Sequence, residues 1–250
     1  MNRAIPAAVA LSAFFPLSAS EPAPKAVLIA RSVIQAMGGE AAWKDARFVR
    51  FDFIVKTNGI ARIERKHLWD KQTGRYRMEE KSANESPGVV LLNLRTRQGA
   101  VYVDGKKEAG PDALRDLKGV SRTVRMDLDW LALPWRWLQP GYHLKYAGEK
   151  TLQGQLCDVL EVTVDQPDAT LATRYTAYVS RRSHLLEHWS VGAEPSLWDW
   201  QYMKIGGIQL ASNHVNIAKR AEVDMGAVKV LNNVDQGFLT DPAKRLLSLK

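Results

Sequence analysis

Phe48-Val49-Arg50-Phe51-Asp52-Phe53-Ile54-Val55-Lys56 is the stretch from which the fold is read. Val49, Phe51, Phe53 and Val55 alternate with Arg50, Asp52, Ile54 and Lys56, the period of two of a strand with one largely aromatic face. Asn58-Gly59 follows as a hairpin signal, and Ala61 to Trp69 reads as the return strand. Asp70-Lys71-Gln72-Thr73-Gly74 then turns the chain into a third strand carrying Tyr76 and Met78. On these registers Val49, Phe51, Phe53, Val55, Ile63, Trp69, Tyr76 and Met78 share one side. The opposite side carries Arg62, Glu64, Lys66, Arg75, Arg77 and Glu79, which excludes the apolar lipid-facing band of an outer-membrane barrel.

The pattern continues in both directions. Upstream, Val27, Leu28, Ala30, Val33, Ile34 and Met37 recur at helical spacing over Lys25 to Met37, and Gly38-Gly39 is a helix stop. Downstream, Val89 to Leu94 is a continuous apolar run, and Ala100 to Val103 ends at Asp104-Gly105, a second tight-turn dipeptide. Pro111-Asp112 opens a central helix with Leu114, Leu117, Val120, Val124, Leu128 and Leu131 on one face. It runs into Trp130 to Leu138 and is closed by Pro140-Gly141. Strand patterns resume at Tyr142 to Ala147 and recur to Val234, and Asp241-Pro242 reads as the start of a short helix through Leu249. About 11–12 antiparallel strands with an N-terminal helix and a central helical lid make a mainly β, α+β domain. The expected form is a curled sheet or unclosed barrel, wide enough to enclose a large interior.

Composition narrows the function classes. A single cysteine, Cys157, excludes an internal disulfide framework and multi-cysteine metal sites, and its place beside Leu156 and Val159 reads as a buried inert thiol. The formal charge of +8 is scattered, without the basic run of a nucleic-acid arm, so no nucleic-acid partner is expected. Arg3, the apolar stretch Ala4 to Phe15 and Ser18-Ala19-Ser20 form a secretory signal over residues 1–20, followed by one domain over residues 21–250. That places the mature chain, soluble, in the periplasm.

Several strings resemble the LolA-like superfamily, the periplasmic carriers of outer-membrane lipoproteins and their relatives. They are Ala36-Met37-Gly38-Gly39 with Trp43, Phe48 to Phe53, Trp130 to Trp137 through Pro140-Gly141 into Leu144-Lys145-Tyr146, and Gly148 to Leu160. Together they cover most of Lys25 to Val215. The resemblance implies an unclosed barrel around a hydrophobic cavity, helices acting as a lid, and non-catalytic binding of acyl chains. The carriers place a Leu-Trp pair before a Lys-Arg-Pro turn and an aromatic residue on the next strand. This chain has Leu68-Trp69, Lys71 and Tyr76 there, with Gln72 and Thr73 at the arginine and proline positions. In the carriers that arginine helps to hold the lid closed, so the resemblance carries the fold and an apolar cavity to this chain rather than a cargo.

The expected ligand-lining set is therefore Phe51, Phe53, Ile63, Trp69, Tyr76, Met78, Tyr102, Trp130, Leu131, Trp135 and Trp137. Trp130 to Leu138 would be the cover that moves aside. An empty cavity of ~300 Å³ would cost about 7 kcal/mol, so the interior should collapse or hold a ligand. Arg65 and His67 share the inner register and are headgroup candidates, with Glu80 as the carboxylate that would otherwise pair with the arginine. His184 and His188 fall on a strand pattern, where four residues span ~13 Å, too far for one metal. Asp127 and Asp129, two apart on a helix, point in different directions. No nucleophile elbow or phosphate loop is present in the sequence.

The expectation is a periplasmic binder or carrier of a lipid or acylated protein, without cofactor or metal, in transient contact with a membrane surface. The same sheet with a filled core would be a protein-interaction module. A small-pocket enzyme would need Arg65, His67 and Glu80 to converge near solvent.

Overall fold

The computed structural model describes residues 24–81, 87–165, 173–191 and 196–249. The segment read as a secretory signal lies outside them. Two helices, α1 (Lys25–Ala36) and α2 (Gly39–Asp45), precede the strands β1 (Phe48–Thr57), β2 (Ile60–Asp70), β3 (Arg75–Lys81), β4 (Pro87–Asn93), β5 (Gly99–Val103) and β6 (Lys106–Lys107). The central helix α3 (Pro111–Ala132) and a 3₁₀ turn (Leu133–Arg136) follow. Then come β7 (Tyr142–Leu152), β8 (Gln155–Val164), β9 (Thr173–Ser180), β10 (Leu186–Val191), β11 (Leu197–Asp199), β12 (Gln201–Ile205), β13 (Ile208–Asn216) and β14 (Ala221–Leu231).

All the strand pairings are antiparallel. Nine strands form one sheet in the order β12-β13-β14-β1-β2-β3-β4-β5-β6, and five form a second, β11-β10-β9-β8-β7. The chain passes from one sheet to the other at Trp200, between β11 and β12, which splits the strand pattern there in two. This break and the short β6 bring the strands among the described residues to 14, against the 11–12 expected. The arrangement is an unclosed barrel: β6 and β7 are free edges, and α3 is the connection between them.

Register follows the alternation of the sequence. Val49, Phe51, Phe53 and Val55 on β1 face Trp69, His67, Arg65 and Ile63 on β2, and β2 in turn sets Trp69 against Tyr76 and His67 against Met78 on β3. One core, drawn from both sheets, fills the inner side, with Val33, Phe51, Tyr76, Val124, Leu131, Leu160 and Leu210 in it. Gly38 marks where the first helices seat on this body. It has φ +118°, and a Cβ there would meet the Gly207 carbonyl oxygen at 2.5 Å, so only glycine lets α1 turn into α2 against the β12–β13 hairpin.

The outer face departs from expectation at β3. Arg77 and Glu79, placed on a solvated side, are buried beneath the C-terminal segment. Phe48, Leu68, Val234, Phe238, Leu239 and Leu246 form a second small core there. Arg77 donates to Glu79 (2.7 Å) and to the carbonyls of Phe238, Asp241, Pro242 and Lys244, while Glu79 accepts from the Leu246 amide at 2.9 Å. A guanidinium with five donors can satisfy a strap that makes no regular helix. The helix expected over Asp241 to Leu249 is accordingly absent, and the segment carries 3₁₀ turns at Gln236–Leu239 and Leu246–Ser248.

Candidate functional site

The inner face of β1–β4, with α3 lying on it, is the candidate site. The helix is amphipathic by three- and four-residue spacing. Val124, Leu128, Leu131 and Ala132 are buried in the core, and Leu117 and Val120 pack against it half-buried. Beneath and around them lie Phe51, Phe53, Tyr76, Met78, Val90 and Leu92, all buried. Ile63, Trp69 and Trp130 are partly buried against the same cluster. The inner side is packed by side chains of α1, of α3 and of the segment after it, which is the collapsed alternative that the cavity cost favours.

Among the expected lining residues, Tyr102 is a correction. It pairs with Val89, which follows Glu79 on the outer side, while Val101 pairs with the core residue Val90. Tyr102 therefore faces away from the site. Trp135 and Trp137 are each held by a hydrogen bond to another part of the chain. Trp137 is sealed and donates from Nε1 to the Tyr175 hydroxyl (2.9 Å), and Trp135 donates to the Gln209 carbonyl (3.2 Å) while stacking on Trp43 at 4.8 Å.

A polar string runs under the middle of the helix. The Arg65 Nη1 donates to both oxygens of Asp127 on α3, at 3.1 and 3.2 Å, and its Nε donates to Glu80 at 3.1 Å. His67 is completely buried, stacked on Phe51 at 4.4 Å. Its Nε2 lies 3.3 Å from Asp127, and its Nδ1 is 2.8 Å from the Tyr76 hydroxyl. With Nε2 facing the carboxylate, Nδ1 accepts the tyrosine proton. Burial, the largest effect, pushes the His67 imidazolium down against the opposing pull of Asp127, and burial pushes the Tyr76 phenol up. Both stay neutral.

Arg65 thus ties α3 to β2 through Asp127, with Glu80 on its other side, while His67 is sealed beside the same carboxylate. The three-residue enzyme constellation does not assemble: Arg65 meets Glu80, but His67 is sealed from solvent. Asp127 and Asp129 point apart as expected, Asp129 turning to Arg136 and to the Tyr142 hydroxyl at 3.2 Å. Sequence reasoning missed Asp127 as the partner because nothing local shows which strand a helical carboxylate will meet.

A second aromatic group holds the C-terminal end of α3. His214 on β13 donates from Nε2 to the Trp130 carbonyl at 2.8 Å, satisfying one of the helix's last carbonyls. Trp130 makes edge contacts with Trp189, Trp198 and His214 at 4.5 to 4.9 Å, and Trp200 packs on His214 at 4.4 Å. Burial drives the His214 imidazolium down to about 3. Of the other histidines, His188 pairs with Asp199 at 3.0 Å, His143 pairs with Asp165 at 3.0 Å on the surface, and His184 sits in a turn at φ +57°. Cys157 is buried, which raises its thiol.

The helix is therefore fixed at its end and pinned at its middle, while its first half is covered on one side only. There, a groove of about 400 Å³ opens between β5 and the start of α3, lined by Ala100, Val101, Ala113 and Leu117 among others. A smaller pocket of about 130 Å³ lies further along the helix toward its C-terminal end, floored by Leu92, Leu94 and Leu128. No helix among the described residues is long and apolar enough to cross a membrane.

No protein-family model matches the chain, and no curated protein matches it in sequence. Its fold does match solved structures. A DUF1329 family protein from Desulfovibrio piger superposes with a TM-score of 0.51 at 12% identity, over 88% of this chain and 99% of that one. A LolA superfamily protein from Nitrosomonas europaea gives 0.50 at 12% identity, over 86% of this chain and 98% of that one. The chain has a LolA-like fold.

Proposed function

We propose that this protein binds and carries an apolar ligand, a lipid or an acylated protein, between the inner face of β1–β4 and the helix α3, without catalysis and in the periplasm. The observation that carries the reading is the way α3 is held. Its inner side chains fill the sheet as an acyl chain would, yet its middle is fastened by a few polar contacts to Asp127 and its first half is only half-buried. Displacing the helix from Pro111 toward Leu128 would uncover Phe51, Phe53, Ile63, Tyr76 and Met78 as apolar surface on either side of the polar pair Arg65 and His67, while Trp69 stays under Trp43 of α2. Each methylene then sequestered contributes about 0.8 kcal/mol, so a chain of ten could offset several kcal/mol of lost helix packing. The LolA-like fold supports the same reading, as do the secretory features of residues 1–20.

Lipid extraction and mass spectrometry of protein purified from its native host tests this. A stoichiometric amphiphile is expected, together with uptake of a fluorescent fatty acid by the stripped protein. No amphiphile and no uptake would overturn the reading. The filled interior favours a second one, an interaction module whose core never opens. In that case α3 would keep full protection from hydrogen exchange in the presence of any amphiphile.

A further inference from the structure

We infer that the pocket of about 130 Å³ beside α3 is a receptor for the anionic head of a single-chain amphiphile, a carboxylate or a phosphate; this rests on the carriage reading above. Its floor is apolar: Leu92 and Leu128 are buried and belong to the same core that lines the inner face, and Leu94 packs against that core. Its rim is cationic. Arg97 comes from the β4–β5 turn, Arg125 from α3, and Arg136 from the 3₁₀ turn that follows. A chain entering under α3 along Leu128 and Leu92 would leave its head among these three guanidinium groups.

The charges are not balanced within the protein. Arg136 is paired with Asp129 and lies over the Tyr142 ring. Among the described residues, the side chains of Arg97 and Arg125 have neither a hydrogen bond nor an ion pair, although the charge of Arg125 is felt at Asp129. Three arginines therefore face one carboxylate, already bound. The two other polar side chains of the lining point their bonds elsewhere: Ser121 donates to the Leu117 carbonyl, and Asn93 donates to Thr73 and accepts from the Arg95 and Thr96 amides.

The amide of Arg97 donates to the Asn93 carbonyl at 2.8 Å, which fixes the turn from which its side chain reaches the rim. The volume is close to the ~150 Å³ cavity that accepts a benzene ring, which is room for a headgroup and not for a whole lipid. Guanidinium groups match carboxylate and phosphate oxygens in a bidentate fashion, whereas a cationic head would be repelled.

The test is calorimetric titration of the full chain with dodecanoate, dodecyl phosphate, dodecyltrimethylammonium and inorganic phosphate, each amphiphile below its micellar concentration. The two anionic amphiphiles should bind at least about tenfold more tightly than the cationic one, and more tightly than inorganic phosphate. An R97Q/R125Q variant should bring the three amphiphiles within about threefold of one another, with its near-ultraviolet circular dichroism unchanged. R125K, which keeps the charge, should retain the preference and controls for folding. Equal affinity for all three amphiphiles would overturn the headgroup site and leave carriage standing. Inorganic phosphate bound as tightly as dodecyl phosphate would make this a small-anion site and overturn the inference. Failure of every amphiphile to bind would overturn the inference and the carriage reading together.

Discussion

Replacing Asp127 by asparagine keeps the size of the side chain and removes the charge that joins α3 to β2. Arg65 would lose one of its two carboxylates but keep Glu80, and His67 would stay neutral. Breaking a buried ion pair by removing one partner costs about 3–5 kcal/mol when the remaining charge is stranded. With Glu80 still in place, the loss should fall near the strength of a charged hydrogen bond, about 2 kcal/mol. Because the contact lies between the helix and the sheet, that cost should appear as local opening of α3. Two kcal/mol corresponds to about a 30-fold rise in the open population. Native-state hydrogen exchange reads it directly. Amides from Val124 to Leu131 should lose about 30-fold protection, while those of Val49 to Phe53 on β1 lose much less. Fatty-acid uptake by D127N should be faster than by the natural chain. Equal loss of protection in helix and strand, or unchanged protection in the helix, would refute the latch.

Other consequences follow from the same contacts. R77A should cost about 3–5 kcal/mol in urea unfolding, because it strands Glu79 and the carbonyls of the C-terminal strap; a loss below 1 kcal/mol would show that the strap is held by its apolar side chains alone. His214 is lowered from its ordinary 6.5 to about 3, so the unfolded chain takes up a proton that the folded chain refuses. Its contribution is fully present above pH 6.5 and falls as the pH drops, by about 2 kcal/mol at pH 5. H214Q should flatten stability between pH 6.5 and 5, and an unchanged slope would contradict this. G38A should destabilise by about 1–3 kcal/mol, since alanine is strained at φ +118° and would press on the Gly207 carbonyl; a neutral result in thermal unfolding would remove that packing argument.

What could be read from the chain was what alternation and periodicity encode. The strict period of two in β1 and the Asn58-Gly59 turn place Trp69, His67, Arg65 and Ile63 on the inner side, where the structure has them. The spacing from Pro111 to Leu131 predicts α3 almost to its ends. Tyr102 was misplaced because a five-residue strand accepts either parity, and only its pairing with Val89 decides. Arg77 and Glu79 read as solvated since nothing in their own strand announces that residues some 160 positions later will fold over them. The latch and the arginine pocket share this property: Arg65 and Asp127 are 62 positions apart, and Arg97 and Arg125 meet only where α3 comes to rest. Whether the interior is hollow or filled likewise depends on that seat, which composition leaves open.

Photo-crosslinking with a diazirine-bearing fatty acid, followed by peptide mapping, tests the central claim most directly. Label on Phe51, Phe53, Tyr76 or Met78 and on the inner side of α3 at Leu128 or Leu131 is the predicted result. Label confined to outer-face residues such as Tyr102, or no saturable label at all, would contradict it.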